Sequence, residues 1–152
     1  MKEFLRNGFE IQDFTLPTSV ILSLRSQNWN DLDAQMGQLV SSEGALFHFL
    51  SSYKEFESIE HIVAIRKAPD DEGIWHDDGS RKLAFSLSLT EFPSEVEGGS
   101  LYFRKKGEEK CLEIKPQALG KLIVFLTGQD GFEHRVGAVV KGQRVICAGW
   151  CT

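Results

Sequence analysis

Three side chains of this sequence could together bind a divalent transition metal. His76 and Asp78 lie two residues apart in the stretch Trp75-His76-Asp77-Asp78, and His134 follows much later in the chain. Alternate side chains of an extended chain lie on the same face, so His76 and Asp78 can reach one ion while Asp77 points away. Two imidazoles and one carboxylate can occupy one face of an octahedral Fe(II) and leave the opposite face open for a co-substrate and dioxygen. Zinc could bind the same trio, because affinity alone favours it over iron, so these ligands do not decide the metal.

Arg144 adds a second chemical function to this set. It follows His134 by ten residues, beyond a predicted turn at Lys141-Gly142. A guanidinium forms a planar, bidentate clamp for a carboxylate. A dicarboxylate such as 2-oxoglutarate needs such a clamp at its distal end while its keto acid end chelates the metal. The four residues together therefore predict a metal site with an anionic co-substrate.

Each of these residues has a simpler explanation when it is considered alone. A lone histidine is more often structural than a ligand, which is our interpretation of His48 and His61. Asp77 and Asp78 could belong to an ordinary polar turn, and Arg135 could be a surface charge. The combination of all four residues on predicted strands is much less probable by chance, and it favours the metal site.

The elements that must position these residues divide into helices first and strands afterwards. We expect an opening strand over residues 9–16, a short helix after Pro17, a helix capped by Asn30-Asp31, and a third helix capped by Ser41 or Ser42. An aromatic row in the third helix indicates packing against a sheet. The apolar positions that define the three helices are Val20, Ile21, Leu22 and Leu24; Leu32, Met36, Leu39 and Val40; and Leu46, Phe47, Phe49, Leu50, Tyr53 and Phe56.

About seven or eight strands are predicted after Glu60. Residues 82–90 alternate cleanly, with Leu83, Phe85, Leu87 and Leu89 on one face. Residues 122–126 form a continuous apolar run, which is typical of a strand that is buried on both faces. Many short strands separated by glycine-rich and charged turns indicate a sandwich or barrel. The remaining predicted strands cover residues 61–67, 99–105, 111–115, 133–140 and 144–150.

Composition and charge exclude several classes of protein. The 152 residues are 41% hydrophobic and 26% charged, which predicts one folded domain with a single core. A net charge of −5 makes a nucleic-acid partner improbable. The sequence has no apolar run of membrane-spanning length, no secretory signal and only three cysteines, so we expect a reducing, cytoplasmic location and no membrane partner.

Beyond these local signals, the chain resembles the prolyl 4-hydroxylase-like branch of the Fe(II)/2-oxoglutarate-dependent dioxygenase superfamily. The resemblance extends from about Ile62 to Trp150, and it is the ordered set with its spacing that makes it specific. The matching pieces are His76-Asp77-Asp78, Glu97-Gly98-Gly99-Ser100-Leu101-Tyr102-Phe103, His134-Arg135-Val136, Val139, Gly142-Gln143-Arg144 and Gly149-Trp150.

This resemblance implies a fold, a cofactor set and a reaction. The fold would be mainly β with N-terminal helices (α+β): a double-stranded β-helix, or cupin-like jelly roll, over residues 61–152, supported by the helical residues 1–60 within one domain. His76, Asp78 and His134 would bind Fe(II), and Arg144 would hold the distal carboxylate of 2-oxoglutarate. Dioxygen would be the oxidant, with ascorbate as a supporting reductant. The enzyme would hydroxylate a C–H bond and decarboxylate 2-oxoglutarate to succinate and carbon dioxide.

One departure from the family pattern concerns the co-substrate pocket. Many relatives place a tyrosine that touches 2-oxoglutarate on the strand before His-x-Asp, and Lys67 is nearest to that position here. Ser86 and Ser88 are further candidates to bind the co-substrate. Each of the three has a plain alternative, a solvated lysine and polar residues on an outer face.

The substrate is not specified by the sequence. Trp75 and Tyr102 are candidates to line a substrate pocket, with ordinary aromatic packing as the alternative. We expect a peptide, prolyl peptides among them, or a small molecule. Two other functions remain open: a non-catalytic jelly-roll module that binds the metal and 2-oxoglutarate, and a cupin-type enzyme that works without 2-oxoglutarate. The oligomeric state is also open.

Overall fold

A computed structural model describes all residues from Met1 to Thr152. Four helices precede nine of the ten strands, and one strand lies among the helices. The helices are α1 (Lys2–Asn7), α2 (Thr18–Arg25), α3 (Trp29–Val40) and α4 (Ala45–Ser51). The strands are β1 (Phe9–Asp13), β2 (Ile59–Lys67), β3 (Leu83–Ser88), β4 (Glu97–Gly98), β5 (Leu101–Lys105), β6 (Leu112–Ile114), β7 (Lys121–Phe125), β8 (Phe132–Val136), β9 (Val139–Lys141) and β10 (Gln143–Cys151).

The strands form one large and two small antiparallel sheets. The large sheet has five strands in the order β1-β7-β3-β10-β2. Of the small sheets, one has the order β6-β5-β8 and the other pairs β4 with β9. The expectation of a mainly β fold with N-terminal helices is confirmed.

Aromatic side chains join the large sheet to the sheet β6-β5-β8. The Phe103 ring of β5 lies 5.5 Å from that of Phe9 on β1 and 6.0 Å from that of Phe125 on β7. These three belong to a core of 26 buried residues and their partly buried neighbours, drawn from helices and strands alike. The two layers therefore face each other across a shared apolar interior, as in a sandwich.

The helices α2, α3 and α4 lie where the apolar periodicity predicted them. The buried residues Leu32, Met36 and Val40 recur at helical spacing along α3, which packs against β2. Both predicted caps are wrong. Asn28 caps α3 by accepting a hydrogen bond from the Asp31 amide, and α4 begins after Gly44 without any side-chain cap.

Two elements were absent from the predictions, and one predicted strand is divided. The helix α1 and the two-residue strand β4 were not expected, and the predicted strand over residues 133–140 is interrupted at Gly137-Ala138 between β8 and β9. The other strands differ from their predicted bounds only at their ends. No helix has both the length and the apolar composition that crossing a membrane requires.

Candidate metal centre

His134 points into the space between the two layers. It follows Phe132 and precedes Val136 in the alternation of β8, so these three side chains lie on one face of the strand. The imidazole is only 5% exposed, and its ring centroid lies 4.7 Å from that of Phe125 on the large sheet. Strand geometry thus places one nitrogen ligand inside an apolar chamber.

His76 lies directly beside His134, although it belongs to no regular strand. The two residues exchange backbone hydrogen bonds of 3.0 and 2.9 Å, so the segment 70–76 follows β8 like an additional edge strand. The His76 Nδ1 lies 2.9 Å from the Ile74 carbonyl oxygen. A carbonyl can only accept, so Nδ1 carries the proton and Nε2 keeps its lone pair for a metal.

Asp78 reaches the same point through a turn, not through an extended strand. Its φ of 61° is in the left-handed region, which is uncommon for a residue other than glycine and often marks a functional site. The strand-based reason for expecting Asp78 on the His76 side was therefore wrong, although the two side chains do converge. Asp77 points away as expected: its carboxylate accepts from Lys106 Nζ at 2.6 Å and from the Gly79 amide at 2.9 Å.

The donor atoms of His76, Asp78 and His134 lie within 4.8 Å of one another. Asp78 Oδ1 is 3.4 Å from His76 Nε2, and Asp78 Oδ2 is 3.4 Å from His134 Nε2. Adjacent ligands held at about 2.1 Å from one ion lie roughly 3 Å apart, so these separations fit a shared metal. Asp78 Oδ2 is buried and has no hydrogen-bond partner, a cost that a bound cation would offset.

Burial also tunes the protonation of the ligands. Desolvation, helped by the nearby His76, lowers the pKa of His134 to about 3, so the imidazole is neutral at physiological pH. Desolvation raises the pKa of Asp78 from its ordinary value, while His76 and the Trp150 indole act in the opposite direction. A neutral imidazole and a carboxylate that is costly to keep charged without a cation are what a metal site requires.

The Arg144 side chain lines the same cavity as His76 and His134. The cavity has a volume of about 240 Å³, and most of its other walls are apolar, with Phe125, Ile146 and Trp150 among them. Arg144 is 5% exposed, and its Nη1 has no hydrogen-bond partner. Burial, together with Arg66, lowers the pKa of Arg144 to about 10, which still leaves it charged at neutral pH. A buried and unpaired guanidinium favours an anion in this cavity.

Two of the three candidate co-substrate residues are not placed to bind it. Lys67 is exposed and does not line the cavity, because strand alternation turns Arg66 of β2 inward instead. The Ser88 hydroxyl donates to the Gln117 carbonyl at 2.7 Å and accepts from the Thr90 amide at 3.3 Å. Ser86 does line the cavity and remains a candidate.

Sequence reasoning missed Arg66, and the alternation of β2 would have found it. Ile62, Ala64 and Arg66 share the face of β2 that lines the cavity. Lys67 was chosen because it lies nearest to the family's tyrosine position, and it occupies the opposite face of β2.

Trp75 and Tyr102, the expected substrate-pocket residues, lie outside the cavity. The Arg104 guanidinium lies over the Trp75 ring, 3.9 Å from its centroid, and that of Arg135 lies 4.5 Å from the Tyr102 centroid. These cation–π contacts stack the two aromatic rings with arginines of β5 and β8. Their contact with a substrate stays a prediction, because a substrate that lies partly outside the cavity could still reach either ring.

The fold and the donor set define a jelly-roll protein with two histidines and one carboxylate converging beside a buried arginine. The chain belongs to the 2OG-Fe(II) oxygenase superfamily, whose family model matches residues 63–152. The match includes the three candidate ligands and Arg144. It confirms the family that the resemblance indicated. Among curated proteins, a sequence search finds no match.

Solved structures of prolyl hydroxylases share this fold. A Pseudomonas putida prolyl-4-hydroxylase matches with a TM-score of 0.67 and 21% identity, covering 99% of this chain and 90% of that chain. A Trichoplax adhaerens prolyl hydroxylase, solved with a hypoxia inducible factor oxygen degradation domain peptide fragment, gives 0.65 and 17%, covering 99% and 86%. A viral collagen prolyl hydroxylase from Paramecium Bursaria Chlorella virus-1 gives 0.58 and 18%, covering 94% and 88%.

Proposed function

We propose that this protein is an Fe(II)- and 2-oxoglutarate-dependent oxygenase that hydroxylates a C–H bond of a peptide or small molecule. The observation that carries the proposal is the convergence of His76, Asp78 and His134 beside a cavity that both imidazoles line together with the buried Arg144, whose Nη1 has no hydrogen-bond partner. Iron and 2-oxoglutarate, when bound, supply the activation of dioxygen, with conversion of 2-oxoglutarate to succinate and carbon dioxide.

The residues of this chain have separate roles in that proposal. His76, Asp78 and His134 bind the ion, and with a divalent metal their single carboxylate leaves one net positive charge that attracts an anionic co-substrate. Arg144 binds the distal carboxylate of that co-substrate, with Ser86 as an additional hydrogen-bond donor. Phe125, Val136 and Ile146 exclude water, which strengthens these charged contacts and limits unproductive turnover.

The dimensions of the cavity bear on the substrate. Its volume of about 240 Å³ is below the usual range for a small-molecule pocket, which begins at about 300 Å³. The cavity therefore accepts the co-substrate and one reacting group, while the rest of the substrate lies outside. The His76 side chain is 44% exposed, so this approach is from the His76 side. A peptide fits such an arrangement, and prolyl peptides are the first substrates to test because the structural neighbours are prolyl hydroxylases.

The proposal is tested by binding and turnover with matched variants. We expect the Fe(II)-loaded protein to bind 2-oxoglutarate in anaerobic calorimetry and to convert it slowly to succinate in air, even without substrate. Arg144→Ala should weaken 2-oxoglutarate binding by at least tenfold while metal affinity is retained, because the clamp and the ligands are different residues. His134→Ala should abolish both. Absence of 2-oxoglutarate binding by the metal-loaded parent protein would overturn the proposal.

The second candidate function is a non-catalytic module that binds the metal and 2-oxoglutarate. The missing tyrosine favours this alternative, because the exposed Lys67 lies nearest to the position where many relatives place a tyrosine that touches 2-oxoglutarate. A module would bind 2-oxoglutarate through Arg144 but release no succinate under the same aerobic conditions.

A further inference from the structure

The guanidinium of Arg66 joins three parts of the chain around the candidate metal centre. It projects from β2, and its Nε donates to Asp70 Oδ2 at 2.6 Å. Its Nη1 donates to the Gly137 carbonyl at 3.1 Å, and its Nη2 donates to the Asp71 carbonyl. The Arg66 side chain is only 17% exposed, whereas that of Asp70 is 42% exposed, so these bonds are partly shielded from water. A planar guanidinium can hold several acceptors in one fixed geometry, which a lysine ammonium cannot do.

The acceptors of Arg66 lie beside the two elements that carry the histidines. Gly137 is in the turn between β8 and β9, shortly after His134. Asp70 and Asp71 open the segment that leads to His76. One side chain therefore connects the end of the His134 strand to the start of the His76 segment.

Few other bonds hold the segment 70–76 in place. Asp70 exchanges backbone hydrogen bonds with Val139 at 3.1 and 3.0 Å, and the Gly73 amide donates to the Val136 carbonyl at 2.8 Å. The next backbone contact is the His76–His134 pair itself. Two further side-chain contacts hold the segment, the Glu72–Arg135 ion pair of 2.6 Å and the Trp75–Arg104 cation–π contact. Of the side chains that bind this segment, Arg66 is the one that also binds the turn after β8.

The position of Arg66 is electrostatically unfavourable. It lies directly opposite Arg144 in the antiparallel pairing of β2 with β10, and both side chains line the central cavity. Like charges directly opposite each other in a sheet are destabilising. The Asp70 carboxylate offsets part of this repulsion. Because the position is unfavourable for a second arginine, we expect the contacts of Arg66 to serve the metal centre.

We propose that Arg66 is a positioning residue of the metal centre, which fixes the segment carrying His76 to the turn that follows His134. The two imidazoles are thereby held at the separation that one ion requires. This inference rests on the proposed function, because it presupposes that the histidines bind a metal. Groups that hydrogen-bond the metal ligands themselves typically contribute about 10- to 100-fold to metal affinity, and Arg66, which acts through the backbone, should contribute at the lower end of that range.

The test compares Co(II) binding by Arg66→Ala, Arg66→Lys and a matched control. The control is Arg25→Ala, which removes the Arg25–Glu91 ion pair of 2.5 Å between two residues that do not line the cavity. The probe is Co(II) added to metal-free protein, with affinity measured by calorimetry and ligand geometry read from the Co(II) absorption spectrum. Circular dichroism melting curves establish that each variant is folded at the titration temperature.

We expect Arg66→Ala to weaken Co(II) binding by about tenfold and to change the Co(II) spectrum. Arg66→Lys should recover part of the affinity, and Arg25→Ala should match the parent protein in both readouts. If Arg66→Ala does not fold, Asp70→Asn tests the same contact and should weaken Co(II) binding to a smaller extent. The positioning role would be overturned if a folded Arg66→Ala had the Co(II) affinity and spectrum of the parent protein. If Arg66→Ala does not fold, the same result with Asp70→Asn would overturn it. A parent protein that does not bind Co(II) would instead overturn the proposed function.

Discussion

At the scale of single residues, Asp78 has an unfavourable conformation and an unfavourable burial, which a bound metal would offset. Its backbone is in the left-handed region, and its buried Oδ2 has no hydrogen-bond partner. We predict that Asp78→Asn stabilises the metal-free protein by about 1 kcal/mol, because an amide is cheaper than a carboxylate to bury without a partner. The same change should lower metal affinity by at least 100-fold. Chemical denaturation and Co(II) titration measure the two effects.

The pH dependence of that stabilisation follows from the direction of the Asp78 pKa shift. Burial raises this pKa in the folded state, so the folded protein loses stability as the pH rises through it. The gain in the free energy of unfolding from Asp78→Asn should therefore be largest near neutral pH and should become smaller as the pH falls. An advantage that grows on acidification would contradict the assignment of burial as the dominant cause.

At this site, the types of the functional residues could be predicted more readily than the directions in which their side chains point. His76, Asp78, His134 and Arg144 were each chosen from type and spacing. The first three converge on one point, and both histidines line the same cavity as Arg144. Lys67 was chosen as the residue nearest to the family's tyrosine position, but it lies on the outward face of β2, and Arg66 lies on the inward face. Trp75 and Tyr102 stack with arginines, and neighbouring strands supply those contacts, so no local pattern reveals them.

At the scale of elements, α3 contains a glycine that the fold does not need. Gly37 is an interior residue of this helix, and a Cβ there would meet only the His61 Cε1 at an ordinary distance of 3.6 Å. Gly37→Ala should therefore stabilise the protein by about 0.5–1 kcal/mol, because alanine loses less backbone entropy on folding. Thermal melting monitored by circular dichroism measures the change.

Gly44 supplies the matched opposite case at the start of α4. A Cβ at this position would lie 2.1 Å from the Leu39 carbonyl oxygen, so Gly44→Ala forces the α3–α4 connection to shift. We expect this variant to melt at a lower temperature than the parent. A higher melting temperature for Gly44→Ala, or a lower one for Gly37→Ala, would show that α3 and α4 pack differently from the arrangement described.

The elements themselves were largely predictable, and their ends were not. Apolar alternation marks β3, and helical spacing marks α3, because burial on one face imposes those periods. The caps depend on which backbone amide lacks a partner, which periodicity does not specify. The short strand β4 pairs only with the distant β9, so its own two residues hold no strand signal.

At the scale of the whole molecule, the three cysteines should report on the integrity of the fold. Cys111 is exposed, whereas Cys147 and Cys151 are fully buried. Burial raises the pKa of each of these two thiols to about 12, so both stay protonated and unreactive at pH 8. We predict that a thiol reagent modifies one cysteine of the native protein at pH 8 and all three in denaturant. Cys111→Ser should remove the native reaction, and rapid labelling of that variant would contradict the described core.

The most direct test of the central claim is a crystal structure of the protein with Mn(II) and 2-oxoglutarate, with Mn(II) as an air-stable substitute for Fe(II). We predict an ion bound by His76 Nε2, an Asp78 carboxylate oxygen and His134 Nε2, with the distal carboxylate of 2-oxoglutarate on Arg144. An ion bound by other residues, or 2-oxoglutarate bound away from Arg144, would contradict it.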